Sequence, residues 1–149
     1  MFGLSRSLAS GALVAVVLAA GAAAADEGMI TYRQSVMKAN AGHLTAVVTI
    51  IKGQVPFTDD LKVHTHALAE LAIIAGHVFP EGSGTGETRA LPAIWEKPED
   101  FKKAYEAYQT AAANLAKTAE TDPKAVPAAV GELGKACKAC HDNFQKKKP

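Results

Sequence analysis

Apolar side chains return at helical intervals in four separate stretches of this chain. In the first, Ile30, Met37, Leu44 and Ile51 repeat every seven residues with Val48 between them, and Gly53 and Pro56 close it. The second follows Thr58-Asp59-Asp60, side chains suited to a helix start, and sets Leu61, Leu68, Leu71, Ala75 and Val78 on one stripe. A third opens at Pro98-Glu99-Asp100, with its acids at the positive end of the helix dipole. Its stripe is Phe101, Tyr105, Tyr108, Ala112, Leu115 and Ala119. The fourth starts near Asp122-Pro123 and carries Val126, Val130, Leu133, Cys137, Cys140 and Phe144. Lys146, Lys147 and Lys148 follow at its carboxyl end, where cations are favoured.

The links Gly53–Phe57 and about Glu120–Asp122 are short, so the helices they join are expected to run antiparallel. The middle link, Pro80 to Lys97, is long and holds Gly82, Gly84 and Gly86, with Trp95 expected to anchor it on the helices. The pattern predicts an all-α protein, an up-down-up-down four-helix bundle. Val47, Val48, Ile50 and Ile51 make the first helix apolar beyond one stripe, which suits either a partner helix or a wide core face.

Composition narrows the picture. The 149 residues make one ordinary domain, and aromatics at 6% amid abundant alanine favour helices over a β-sandwich. Residues 1–25 read as a signal peptide: Arg6, an apolar run from Leu8 to Ala20, then Ala23-Ala24-Ala25 before Asp26. The run is short for a span of about 20 residues. Export with cleavage near Ala25 is therefore expected, to the periplasm of a Gram-negative source, with residues 26–149 forming the bundle and no remaining membrane attachment. Without the leader the charges balance at 15 positive and 15 negative, which argues against a nucleic-acid binder. Two cysteines are too few for a disulfide scaffold.

Those two cysteines carry the chemistry. Cys137-Lys138-Ala139-Cys140-His141 is the C-x-x-C-H signature of covalent c-type haem attachment. On a helix, positions i, i+3 and i+4 face one way, so both thiols and the imidazole address one flat macrocycle from one side. Cys137 and Cys140 would form the thioethers, and His141 would be the proximal axial ligand of the iron. Three rival readings are weaker. A zinc site lacks a second cysteine pair, and His43, His64, His66 and His77 lie far along the chain. A thioredoxin-like pair lacks its βαβ context, and a plain disulfide leaves His141 without a role.

With its haem motif near the carboxyl end of a helical chain, the sequence resembles the class II cytochromes c, most closely the cytochrome c′ family. Tyr32-Arg33-Gln34 followed by Met37 is similar to the family's first helix, Gly134–His141 to its haem helix, and Pro92-Ala93-Ile94-Trp95 to its middle connection. The resemblance implies one covalent haem in the bundle, with Met37 on the distal face. Counting ~1.5 Å per residue sets Met37 ~15 Å from the start of the first helix and His141 ~9 Å from the end of the last, near one level of an antiparallel pair.

Two outcomes follow for Met37. Its sulfur reaches the iron as sixth ligand, giving a low-spin electron-transfer cytochrome, or it stops short beneath an apolar lid. In the second case five-coordinate, high-spin iron takes nitric oxide or carbon monoxide, and anions are opposed because they would lose hydration. Arg33-Gln34 favours the open form, so the expected function is binding of small diatomic gases together with one-electron transfer. Enzymatic turnover is not expected, because no distal acid–base pair is readable.

Arg33, one turn before Met37, is expected to meet a haem propionate. Family members often carry a cation four positions after the proximal histidine; here that position is Gln145, with Lys146 beside it. The resemblance also implies a homodimer through helices 1 and 2. Lys135, Lys138 and Lys146–Lys148 would ring the haem-bearing end and steer acidic redox partner proteins. His64 and His66, two apart on a helix, point in opposite directions and cannot chelate together; they read as surface residues, and His43 and His77 as satisfied structural ones. Gly131 and Gly134 each cost about 1 kcal/mol in a helix interior, which close approach of the macrocycle or a neighbouring helix would explain.

Overall fold

The structure, a computed structural model, describes the backbone of residues 11–147 and the side chains of residues 27–147. The signal peptide expected over residues 1–25 lies outside the residues described in full. Four long helices carry the fold: α1 (Gly11–Ile51), α2 (Asp60–Ala75), α4 (Pro98–Thr121) and α5 (Val126–Phe144). A four-residue helix, α3 (Ala93–Glu96), sits in the long middle link, and a 3₁₀ turn (Pro123–Ala125) leads into α5. Among the described residues there is no strand, only an isolated antiparallel bridge between Ala90 and Gln145.

Local chemistry sets the helix ends. Gly53, at φ +66°, takes the left-handed conformation that turns the chain after α1. Pro98 occupies the first turn of α4, with Glu99 and Asp100 beside it. Before α5 the Asp122 carboxylate accepts the Lys124 backbone N–H, so the expected helix start near Asp122 is a short 3₁₀ turn. The α2 stripe ends at Ala75, earlier than the buried Val78 that the spacing predicted to be helical. Tyr105 of α4 is the reason. Its hydroxyl donates to the Ala72 and Ile73 carbonyls, 2.9 and 3.2 Å away, and a Cβ on residue 76 would fall 2.2 Å from that oxygen. Glycine is required there for space.

Val47, Leu68, Leu115, Val126 and Leu133 are fully buried in the main core, each worth about 1.5–3 kcal/mol of burial. Ile50 joins them and Ile51 packs alongside, so the broad apolar face of α1 is largely a core face. α1 packs on α2, α2 on α4 and α4 on α5, whereas α1 and α5 touch sparsely. That gap holds the site. A Cβ on Gly131 or Gly134 would meet nothing within 4 Å beyond its own stretch of helix, so a neighbouring helix does not account for these glycines.

Candidate haem site

Cys137, Cys140 and His141 border one cavity of about 670 Å³ between the walls of the bundle. Met37, Ala41 and Leu44 face it from α1, Phe101, Tyr105 and Tyr108 from α4, and Arg89 from the middle link. The sequence spacing therefore does bring both thiols, the imidazole and Met37 to one place. Met37 is also packed against the second core cluster, formed by Val36, Ala75 and Val78.

The donor set suits a haem. Burial pushes the Cys137 thiol above its ordinary value, and burial together with nearby Cys137 pushes Cys140 up to about 11. Both sulfurs are thus neutral thiols at neutral pH, and neither is in a disulfide. Burial pulls the His141 imidazole down, Arg89 adds to that shift and Asp142 opposes it. His141 is accordingly neutral near pH 7, the form with a lone pair for a metal. A small redox pair would leave most of this apolar volume unfilled, while a macrocycle held by two sulfurs and one nitrogen would occupy it.

Arg33 borders the cavity, is 4% exposed, and has its terminal nitrogens hydrogen-bonded to the middle link and the chain just before it. Nη1 donates to Ser83 Oγ at 2.9 Å and the Val78 carbonyl at 3.3 Å; Nη2 donates to the Ser83 carbonyl at 2.8 Å and Thr88 Oγ1 at 3.1 Å. A buried cation needs such acceptors, and these residues supply them. Gln34 Nε2 likewise donates to the Glu87 carbonyl at 2.9 Å. The Arg33-Gln34 pair is a fastener between α1 and the link.

The link is held at two further points. Trp95 Nε1 donates to the Phe79 and Pro80 carbonyls, so these bonds tie the end of the link to its own start just beyond α2. Over the end of α5, the Leu91 N–H donates to the Phe144 carbonyl, and the Lys146 N–H to the Arg89 carbonyl. The Arg89 side chain donates back to the Lys146 carbonyl. Arg89 thus stands beside His141, a placement that no spacing in the sequence signalled. Tyr108, on the far wall, donates to Asn40 Oδ1 at 2.6 Å, and burial drives its phenol well above the ordinary tyrosine range. Of the basic collar, Lys135 pairs with Glu132 and Lys138 with Asp142, both on the exposed surface of α5.

A thiol pair and an imidazole on one face of a terminal helix, opening on an apolar cavity, place this molecule among the helical-bundle c-type haem proteins. Comparison then shows the family: residues 28–145 match the family described as Cytochrome C′, and the chain belongs to that family of class II haem proteins. It is 35% identical over 145 residues to cytochrome c′ of Rhodospirillum rubrum, covering 95% of this chain and 99% of that one. It is 34% identical over 140 residues to cytochrome c-554 of Cereibacter sphaeroides, covering 91% and 92%. Among solved structures, the nitric oxide complex of a mutant cytochrome c prime from Alcaligenes xylosoxidans superposes with a TM-score of 0.76 at 33% identity, covering 83% of this chain and 97% of that one. Cytochrome c prime from Shewanella frigidimarina gives 0.76 at 32%, covering 82% and 97%.

Proposed function

We propose that this protein holds one covalent haem through Cys137, Cys140 and His141, binds a small neutral diatomic gas on the face opposite His141, and takes part in one-electron transfer. The observation that carries the reading is Met37, engaged with the Val36–Ala75–Val78 cluster as core filler on the wall that faces the cavity. Held by Cys137, Cys140 and His141, a haem would supply an iron able to take a small ligand and to change reversibly by one electron. The chain's residues do the rest. His141 offers a neutral nitrogen from α5. Met37, Ala41 and Leu44 present an apolar wall that strips water, which disfavours anions and leaves nitric oxide or carbon monoxide unpenalised. Structural relatives captured as nitric oxide complexes support this choice of ligand. The role is binding and electron transfer, not turnover of a substrate.

The same reading includes export with cleavage near Ala25, a periplasmic location and acidic redox partner proteins. Among the described residues no helix is long and apolar enough to cross a membrane. A homodimer through α1 and α2 is supported by Phe57, Val63 and Ile73, each at least 60% exposed on or beside α2.

The test is the absorption spectrum of the ferric and ferrous protein with carbon monoxide added to the latter. A high-spin spectrum and rapid binding of the gas are expected, and Met37→Ala should change little. A sulfur-to-iron charge-transfer band in the wild type, lost in Met37→Ala, would instead make the protein a six-coordinate electron carrier and overturn the proposal.

A further inference from the structure

Among the described residues, two side-chain hydrogen bonds join α1 directly to another long helix. His43 meets His64 of α2 with their Nδ1 atoms 2.9 Å apart, an N–H···N bond that uses one nitrogen of each ring and borders no part of the haem cavity. Asn40 meets Tyr108 of α4, whose hydroxyl donates to Oδ1 at 2.6 Å, and both of these residues do line that cavity. The first contact fastens two helices. The second sets an amide and a phenol into a wall that Met37, Ala41 and Leu44 otherwise make apolar.

Geometry fixes which end of the Asn40 amide faces which neighbour. Nδ2 lies 3.1 Å from the Val36 carbonyl, one turn back on α1, and a carbonyl can only accept. The nitrogen therefore sits on that side, and Oδ1 on the side of Tyr108, whose single proton it receives. An amide nitrogen carries two N–H groups, and the second of these has no acceptor among the described residues. It is a donor held in a set orientation on the wall of the cavity.

Stability alone gives little reason for such a pair. Replacing both partners of a buried hydrogen bond by apolar groups of the same shape is close to neutral, and a leucine–phenylalanine pair would continue the rest of this wall. A donor beside the gas, by contrast, has a use. Asn40 stands one turn after Met37 and next to Ala41 on α1, within the wall that the bound gas would face. The outer atom of bound nitric oxide carries more negative charge than that of bound carbon monoxide, so a fixed N–H there favours the more polar gas.

We propose that Asn40, oriented by Tyr108, donates its second N–H to the gas bound in the haem cavity and so selects nitric oxide over carbon monoxide. This rests on the gas-binding reading above. The test is infrared spectroscopy of the haem-loaded ferrous protein under carbon monoxide, together with the rate at which nitric oxide leaves. A donor at the outer atom lowers the carbon monoxide stretching frequency, so Asn40→Leu should raise it, and Tyr108→Phe should raise it part of the way. Nitric oxide should leave Asn40→Leu about three- to tenfold faster, with carbon monoxide dissociation changing less. Tyr105→Phe removes a hydroxyl from the same cavity, but one spent on the Ala72 and Ile73 carbonyls, and should alter neither readout. The Asn40→Leu, Tyr108→Phe double variant keeps the wall filled and should behave as Asn40→Leu, which guards against a folding loss in either single variant. If the wild type takes up no carbon monoxide, the gas-binding reading falls by itself, and the Asn40→Leu shift is read instead in Met37→Ala, whose short side chain clears the axial position. The proposal fails if Asn40→Leu matches its parent in both readouts, if Tyr105→Phe moves them as far, or if even Met37→Ala takes up no gas.

Discussion

Arg33 lays both terminal nitrogens on Ser83, Nη1 2.9 Å from the hydroxyl oxygen and Nη2 2.8 Å from the carbonyl. The Phe79 ring centroid lies 5.0 Å from the guanidinium carbon, so one side chain joins α1, the end of α2 and the middle link. Only a planar fork serves Ser83 and Thr88 together. Arg33→Lys is expected to destabilise the fold by about 2 kcal/mol, and Arg33→Met by about 3, through buried acceptors left unpaired. Denaturant unfolding followed by circular dichroism measures both. Limited proteolysis should show faster cutting between Glu81 and Thr88 in each variant, and equal cutting rates would remove Arg33 from this role.

Tyr108 links stability to alkaline pH. Its buried phenol is raised by burial first and by Cys137 and Tyr105 next, so it stays protonated in the fold after the unfolded chain has ionised. The stability this contributes is intact below the unfolded value of about 10 and is lost as pH rises beyond it. Tyr108→Phe should cost about 1 kcal/mol at neutral pH through the lost Asn40 hydrogen bond, and should flatten the decline above pH of about 10. Unfolding midpoints across that range check the sign.

Two glycines should respond oppositely to alanine. Gly76→Ala would drive its methyl group into the Tyr105 hydroxyl and ring, and should destabilise by about 1–3 kcal/mol. Tyr105→Leu should relieve part of that loss in the double variant. Gly131→Ala meets no atom within 4 Å on an exposed face of α5, so it should stabilise by up to about 1 kcal/mol. Thermal unfolding of the three variants reads both directions.

Removal of both sulfurs isolates the attachment chemistry. The Cys137→Ala, Cys140→Ala double variant, made in a host that matures c-type haem, should have the intact mass of the bare polypeptide. A wild-type mass without a porphyrin would take the haem assignment away entirely.

The sequence shows the four helices because their apolar residues recur on one face, and it shows the thiol–imidazole set because three positions of one helix suffice to define it. It fails where partners come from elsewhere in the chain. The α2 terminus depends on Tyr105, about a helix and a link away, and the fate of Arg33 depends on how residues 78–88 double back over it. The same holds for Arg89 beside His141, brought there by the bridge between Ala90 and Gln145. His64 was legible against His66, its neighbour on one helix, but not against His43, because the facing depends on how α1 crosses α2.

The ties on the middle link also impose an order on assembly. Arg89 and Lys146 bond to each other across 57 positions of sequence, and Arg33 reaches Ser83 across 50. Contacts that far apart repay their loop-closure entropy only after the helices they join have docked. The segment around Gly82–Gly86 therefore sets last, a latch that closes over an already assembled barrel of helices, and its resistance to a protease during refolding would time the final step.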